Sequence, residues 1–241
     1  MNSRNNLTVL ASFATDRLLD KRGLLLREQK GGPALFLQRV LGEEKIPFDI
    51  PYSSTLKVEI LVAPKGEFGK VKTKAKPIKV SWRSLNTSAV LISTILDEYD
   101  LEGMEAYKNQ VFLDVQGYVR DGENFGKKKY WDLSSDSILC VKGTREEISY
   151  LPKDFVKKQK QRMLLITFDS KGSILYFENE AISAKPTKIV RAADTIGAGD
   201  SFFAYFVAKY LQSSDPRRSL EYATSKTTSF LSSKVHHTNP F

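Results

Sequence analysis

The residues best suited to chemistry lie in one run, Asp194-Thr195-Ile196-Gly197-Ala198-Gly199-Asp200-Ser201-Phe202. Glycines at 197 and 199 let a ligand approach the backbone closely, and the free N–H groups of a helix N-terminus make an anion site suited to phosphate. Asp200 then stands beside the bound anion. A phosphoryl transferase has a use for that pairing: backbone dipoles hold the charge of the transferring group while the carboxylate accepts the attacking hydroxyl's proton. No Lys-Ser/Thr follows, so this is not a Walker A loop, and the third glycine of a dinucleotide fingerprint is missing. The same spacing also fits an acidic helix cap after a turn.

Such a run needs elements to position it. Residues 7–13 read as a buried strand closed by Thr15, Asp16 and Arg17. Gly31 and Gly32 precede Pro33 and a helical apolar spacing from Ala34 to Leu41, which puts Pro33 in a first helical turn. Short β-type runs at 58–62 and 78–82 predict a small antiparallel sheet with one wet face. Beyond Asn86 strands are expected at 90–93, 111–115, 138–141, 164–168 and 173–177. Helical signals fall at 101–107, from Thr144, at 199–211 and at 217–231. Strands alternating with helices imply an α/β fold with a mostly parallel sheet flanked by helices on both faces. The expected organisation is a single domain over 1–241 with a small β lid from about 17–30 and 55–83, the stretch before Asn86 leaving little chain for that lid.

Composition narrows the classes. The chain has 241 residues, 41% of them hydrophobic, with 14 glycines, a balance that excludes disorder and collagen-like repetition. Cys140 is the only cysteine, which excludes an internal disulfide or multi-thiol zinc site and fits a reducing compartment, the cytoplasm by expectation. No apolar run reaches the roughly 18 residues of a membrane span, and Met1 to Asn6 carry no signal-peptide pattern. The net charge of +9 raises nucleic acid as a partner, with Lys127-Lys128-Lys129 and residues 157–162 as its basic runs. No aromatic platform interleaves them, so specific nucleic-acid binding is not expected. His236 and His237 are adjacent and lack the company of a metal site.

The motif Asp-Thr-x-Gly-Ala-Gly-Asp-x-Phe at 194–202 resembles the C-terminal signature of the ribokinase-like, or PfkB-type, carbohydrate and nucleoside kinases. Gly31-Gly32-Pro33-Ala34 is similar to that family's N-terminal diglycine motif. Residues 164–172, with Thr167 and Gly172, are similar to its strand-Thr-x-x-x-x-Gly element. Residues 138–147 resemble the strand ending in Asn-x-x-Glu, with Thr144 in place of the asparagine. Residues 113–120 resemble the central strand and following loop of shorter, inositol-kinase-like members. These matches fall in the family's order over about residues 7–230. Phe36 departs from it, standing where sugar kinases often carry asparagine, and Ala11-Ser12-Phe13 replaces the usual Gly-Asp strand ending.

The resemblance implies a ribokinase-like fold and an ATP-dependent kinase acting on a hydroxyl of a small sugar, polyol (inositol-like) or nucleoside. It implies Asp200 as catalytic base and Gly197, Ala198 and Gly199 as the anion hole. The acceptor site is implied at Asp16, Gly31, Gly32 and Asp200, and the nucleotide site at Lys142, Thr144, Thr167, Gly172 and Thr195. Mg2+ is implied at Glu147 through water, with Glu146 one residue out of register, and a monovalent cation such as K+ at Asp194. A homodimer through the lid is the expected assembly, and no membrane partner is expected. The alternative is a catalytically weakened member serving as a nucleotide-binding or protein-interaction module, motivated by the departures at residue 36 and residues 11–13.

Overall fold

Five consecutive buried residues, LTVLA, form the first strand of a parallel core, as expected where helices cover both faces of a sheet. The computed structural model describes residues 6–63, 66–72, 76–125, 127–190 and 195–237. The chain begins β1 (Leu7–Ala11), β2 (Phe13–Leu19), β3 (Leu25–Gly31), α1 (Pro33–Glu43), β4 (Phe48–Asp49), β5 (Thr55–Ala63), β6 (Gly66–Val71) and β7 (Ile78–Lys79). It continues through β8 (Ala89–Ser93), β9 (Tyr99–Asp100), β10 (Gln110–Asp114), α2 (Gln116–Val119), β11 (Ile138–Thr144), α3 (Arg145–Ile148) and α4 (Lys153–Gln161). The last elements are β12 (Met163–Thr167), β13 (Ser173–Phe177), β14 (Glu180–Ala184), α5 (Ala198–Ser213) and α6 (Pro216–His237).

Eight strands make the main sheet in the order β14-β13-β12-β11-β10-β8-β1-β4. All pairings from β4 to β12 are parallel, and β13 and β14 add an antiparallel edge. Alternation sorts the strand residues between two cores. Leu7, Val9, Ala11, Ala89, Leu91 and Phe112 face α1, α5 and α6. Leu10, Val90, Ile92, Val111 and Leu113 face the layer holding Trp82, Tyr107, Tyr118 and Phe155. Helix α5 is buried from Ser201 to Ala208 on every side, the pattern of a helix packed between a sheet and other helices.

The first strand stops at Ala11, and Thr15, Asp16 and Arg17 extend a second strand instead of closing the first. Ala14, Asp16 and Leu18 point inward and their neighbours outward, so Thr15 and Arg17 are the wet half of a strand and Asp16 is a buried carboxylate on its inner half. The second sheet runs β3-β2-β5-β6. It is mixed, not antiparallel: β2 pairs parallel with β5, because α1 and β4 intervene as a crossover. Short as the chain before Asn86 is, it supplies all four of these strands. The expected strand at 78–82 is only β7, paired with β9, and Trp82 turns inward in a 3-10 turn. The helical signal at 101–107 is one 3-10 turn, Met104–Ala106, while α2 and β14 had no clear signal.

Candidate active site

The alternation that sorts the cores also aims three polar side chains. Ser93 and Asp114 end β8 and β10, and Lys142 lies two residues before the end of β11, each two residues after a member of the core beneath α5: Leu91, Phe112 and Cys140. They therefore project toward the N-terminus of α5, at the carboxyl edge of the sheet where parallel α/β folds bind ligands. Lys142 Nζ donates to Asp114 Oδ2 at 2.6 Å, and both side chains are almost fully buried. Burial pushes the Asp114 carboxyl up to about 6 despite that ammonium. Burial alone would lower the Lys142 pKa, but Asp114, Glu147 and Asp200 around it raise it.

At the helix, Gly197 is the N-cap in a left-handed conformation, φ 79°. The Ala198 N–H closes the turn onto Thr195 O at 3.0 Å, and Ser201 N–H bonds to Gly197 O at 2.9 Å. A Cβ on Gly197 would lie 2.3 Å from the Phe36 ring, and one on Gly199 would lie 3.3 Å from Lys142 Nζ. Phe36 thus walls the turn, and the buried ammonium flanks the start of the helix. Asp200, in the first turn, accepts a hydrogen bond from Ser93 Oγ at 3.0 Å. Burial raises its pKa, with Lys142 and the Ser93 bond opposing.

A cavity of about 330 Å3 opens between this helix start and the small sheet, with Asp16, Gly32, Gly197, Gly199 and Asp200 in its wall. Thr195 lies at its rim. Asp16 is 3% exposed. A Cβ on Gly31 would stand 1.9 Å from Asp16 Oδ2, so this glycine exists to let the carboxylate lie across the backbone. Gly32, φ 84°, turns the chain into α1 where a Cβ would strike Ser12 O and Ala14 N.

The cavity also holds Gln116, Arg120 and Lys128, to which sequence reasoning assigned no role. Arg120 Nη1 donates to Ile95 O at 3.1 Å, and its guanidinium lies 4.3 Å from the centre of the Phe125 ring. The turn presenting Ile95 is held by buried Glu98, which accepts the Ile95 and Leu96 N–H groups and is pushed by burial up to about 7. Arg120 Nε is buried without a hydrogen-bond partner among the described residues. The loop after Arg120 reaches the small sheet, with Phe125 N–H bonded to Gly69 O at 2.9 Å and Val71 N–H to Gly122 O at 3.1 Å.

Along the carboxyl edge, Thr144 and Thr167 are register partners on β11 and β12. Gly172, φ 100°, makes the turn into β13, where a Cβ would sit 2.2 Å from Ala184 O. Thr144 caps α3 in a reciprocal box: Glu147 N–H bonds to Thr144 Oγ1 and Thr144 N–H to Glu147 Oε2. Glu147 is buried and Glu146 is exposed, so only Glu147 turns toward Asp114 and Lys142. No three His, Cys, Asp or Glu side chains among the described residues gather to ligate a metal directly. Asp194 lies outside the described residues.

Two comparisons now place the fold. Residues 133–228 match the family model described as pfkB family carbohydrate kinase, which covers the Thr167, Gly172 and Asp200 elements and bears out the resemblance there. A pyrophosphate-dependent kinase of the ribokinase family, solved with a pyrophosphate analogue and myo-inositol, superposes with a TM-score of 0.69 at 15% identity, covering 92% of this chain and 93% of that one. Arabidopsis thaliana ribokinase, complexed with ribose and ATP, gives 0.64 at 18% identity over 92% and 90%. Methanocaldococcus jannaschii nucleoside kinase gives 0.60 at 16% over 97% and 98%. The chain has the ribokinase-like α/β fold. No curated protein matches the sequence. No described helix is long and apolar enough to cross a membrane.

Proposed function

We propose that the chain is a kinase that moves the γ-phosphoryl group of ATP to a hydroxyl of a small polyol, sugar or nucleoside. The observation that carries this reading is one wall: Asp200, half-buried at the start of α5, shares the cavity with Asp16 and stands beside the Lys142 ammonium. Asp16 orients the acceptor by accepting hydroxyl hydrogens, and Arg120 lines the same cavity. Asp200 takes the proton of the attacking hydroxyl. The N–H groups of Gly197 and Gly199, with Lys142, hold the charge of the group in transit. The donor lies along Thr144, Thr167 and Gly172 and reaches the helix past Thr195. Glu147 keeps Oε1 clear of its capping bond, which fits a carboxylate that holds Mg2+ through water, and that ion would neutralise donor phosphate charge. The exposed edge strand β3, which carries Leu25 and Leu26 and is preceded by Leu24, is the lid surface for a homodimer.

Phosphate transfer should be followed by phosphorus NMR with ATP or inorganic pyrophosphate as donor and an acceptor panel led by inositols. Pyrophosphate belongs there because a similar structure holds its analogue. A phosphomonoester product is expected. Donor binding without transfer to any member would favour the non-catalytic module over the kinase.

Gly31→Ala tests the acceptor side alone. The new methyl displaces the Asp16 carboxylate, and losing a charged hydrogen bond costs about 1.5–3 kcal/mol. The acceptor KM should rise roughly tenfold to a hundredfold while donor affinity stays at the parent value. An unchanged acceptor KM would remove Asp16 from the site.

A further inference from the structure

The turn at the start of α5 is held from the far end of the chain. Lys234, in the last turns of α6, donates from Nζ to Ile196 O at 2.7 Å. Its ammonium lies 5.1 Å from the centre of the Phe230 ring and 6.0 Å from that of Phe36. Those rings meet edge to face at 6.4 Å, and Phe36 is the ring against which Gly197 rests. Rings around a half-buried ammonium displace water, so its pull on the carbonyl is screened less than on an open surface.

The peptide plane passes this contact on. A trans peptide is planar, so the Ile196 carbonyl and the Gly197 N–H point in opposite directions. Holding the carbonyl on Lys234 aims the N–H away from α6, and Gly197 lines the cavity. A cation on the carbonyl also polarises the peptide and strengthens its N–H as a donor.

We propose that Lys234 is a positioning residue for phosphoryl transfer: a tethered cation that fixes the Ile196-Gly197 peptide and does the work of a soluble monovalent cation beside the anion site. It rests on the kinase reading given above. Phe36, which cannot hydrogen-bond a sugar, is then the apolar side of the ammonium's pocket.

The test compares the full chain with Lys234→Met, Lys234→Gln and Lys234→Arg in buffer free of alkali cations, then with KCl, ammonium chloride or ethylamine added. Two readouts are taken: the kcat and acceptor KM of phosphoryl transfer, and affinity for inorganic pyrophosphate by calorimetry. Parent turnover should be indifferent to added K+. The Met and Gln variants should lose about tenfold or more in kcat and in pyrophosphate affinity, at constant acceptor KM. Ammonium or ethylamine should restore part of both, and the Arg variant should keep most of both. Severalfold activation of the parent by K+, parent-like values in the Met and Gln variants, or a loss that no cation restores would each overturn the proposal. If the parent transfers phosphate to nothing, the kinase reading fails, and pyrophosphate affinity with its rescue by ammonium still decides the role of Lys234.

Discussion

Asp200→Ala is expected to lower phosphoryl transfer by about 10²–10⁴, the range for removing a general base, with donor affinity near the parent value. The carboxylate is half-buried at the helix start, where Ser93 and Lys142 hold its charged form while desolvation favours the neutral one. The balance raises its pKa above the ordinary aspartate value. A base works deprotonated, so turnover should fall as pH drops through that raised pKa, giving an acid limb above the usual aspartate range. Ser93→Ala removes a bond to the charged form and should move the limb to higher pH. The residual rate of Asp200→Ala should lack it. Stability carries the opposite sign: a carboxyl with a raised folded pKa favours folding when protonated, and that contribution is lost as pH rises through the folded pKa. Asp200→Asn should therefore be inactive yet more resistant to urea than the parent at neutral pH. An active Asp200→Ala protein would end the assignment.

Lys142→Met is expected to damage folding and transfer together. Removing one partner of a buried ion pair leaves the other uncompensated, at a cost of about 3–5 kcal/mol, and here the survivor is Asp114, 1% exposed. Urea unfolding at neutral pH should show the loss, easing as acid protonates Asp114, whose carboxyl is already pushed up to about 6 with its partner present. Lys142→Met with Asp114→Leu should regain most of the stability, since apolar replacement of a whole buried pair is often neutral. It should not regain transfer, because the ammonium beside Gly199 is still missing. A double variant with full activity would reduce Lys142 to a structural partner of Asp114.

Several lysines of the two basic runs have partners within the chain. Lys128 Nζ donates to Phe125 O, and Lys129 pairs with Asp97 at 2.9 Å, both within the loop that reaches the small sheet. Lys160 lies over Tyr176 at 4.6 Å, and Lys158 pairs with Asp136 at 3.8 Å.

Local pattern was enough for the α/β class, for the helix opened by Pro33, for β13 at its observed bounds and for the Gly197–Asp200 helix start, because alternation, proline and glycine act on neighbours. It was not enough for Lys142. Counted in twos from Ile138, both Cys140 and Lys142 should share that residue's face. A register shift between β10 and β11 pairs Phe112 with Cys140 instead of Leu139, and from Cys140 onward the strand's faces exchange, since one extra residue inverts a period of two. That bulge, a property of two strands together, turns Lys142 toward α5. Lys234 is the same case at longer range: it stands 38 positions from Ile196 in sequence, and only the packing of α6 along α5 brings its ammonium to that carbonyl. The sequence by itself determined the class of fold and the glycine-opened helix start with Asp200 in its first turn. The tertiary structure decided which charges attend that helix start, because charge acts through space and contacts between segments set the distances.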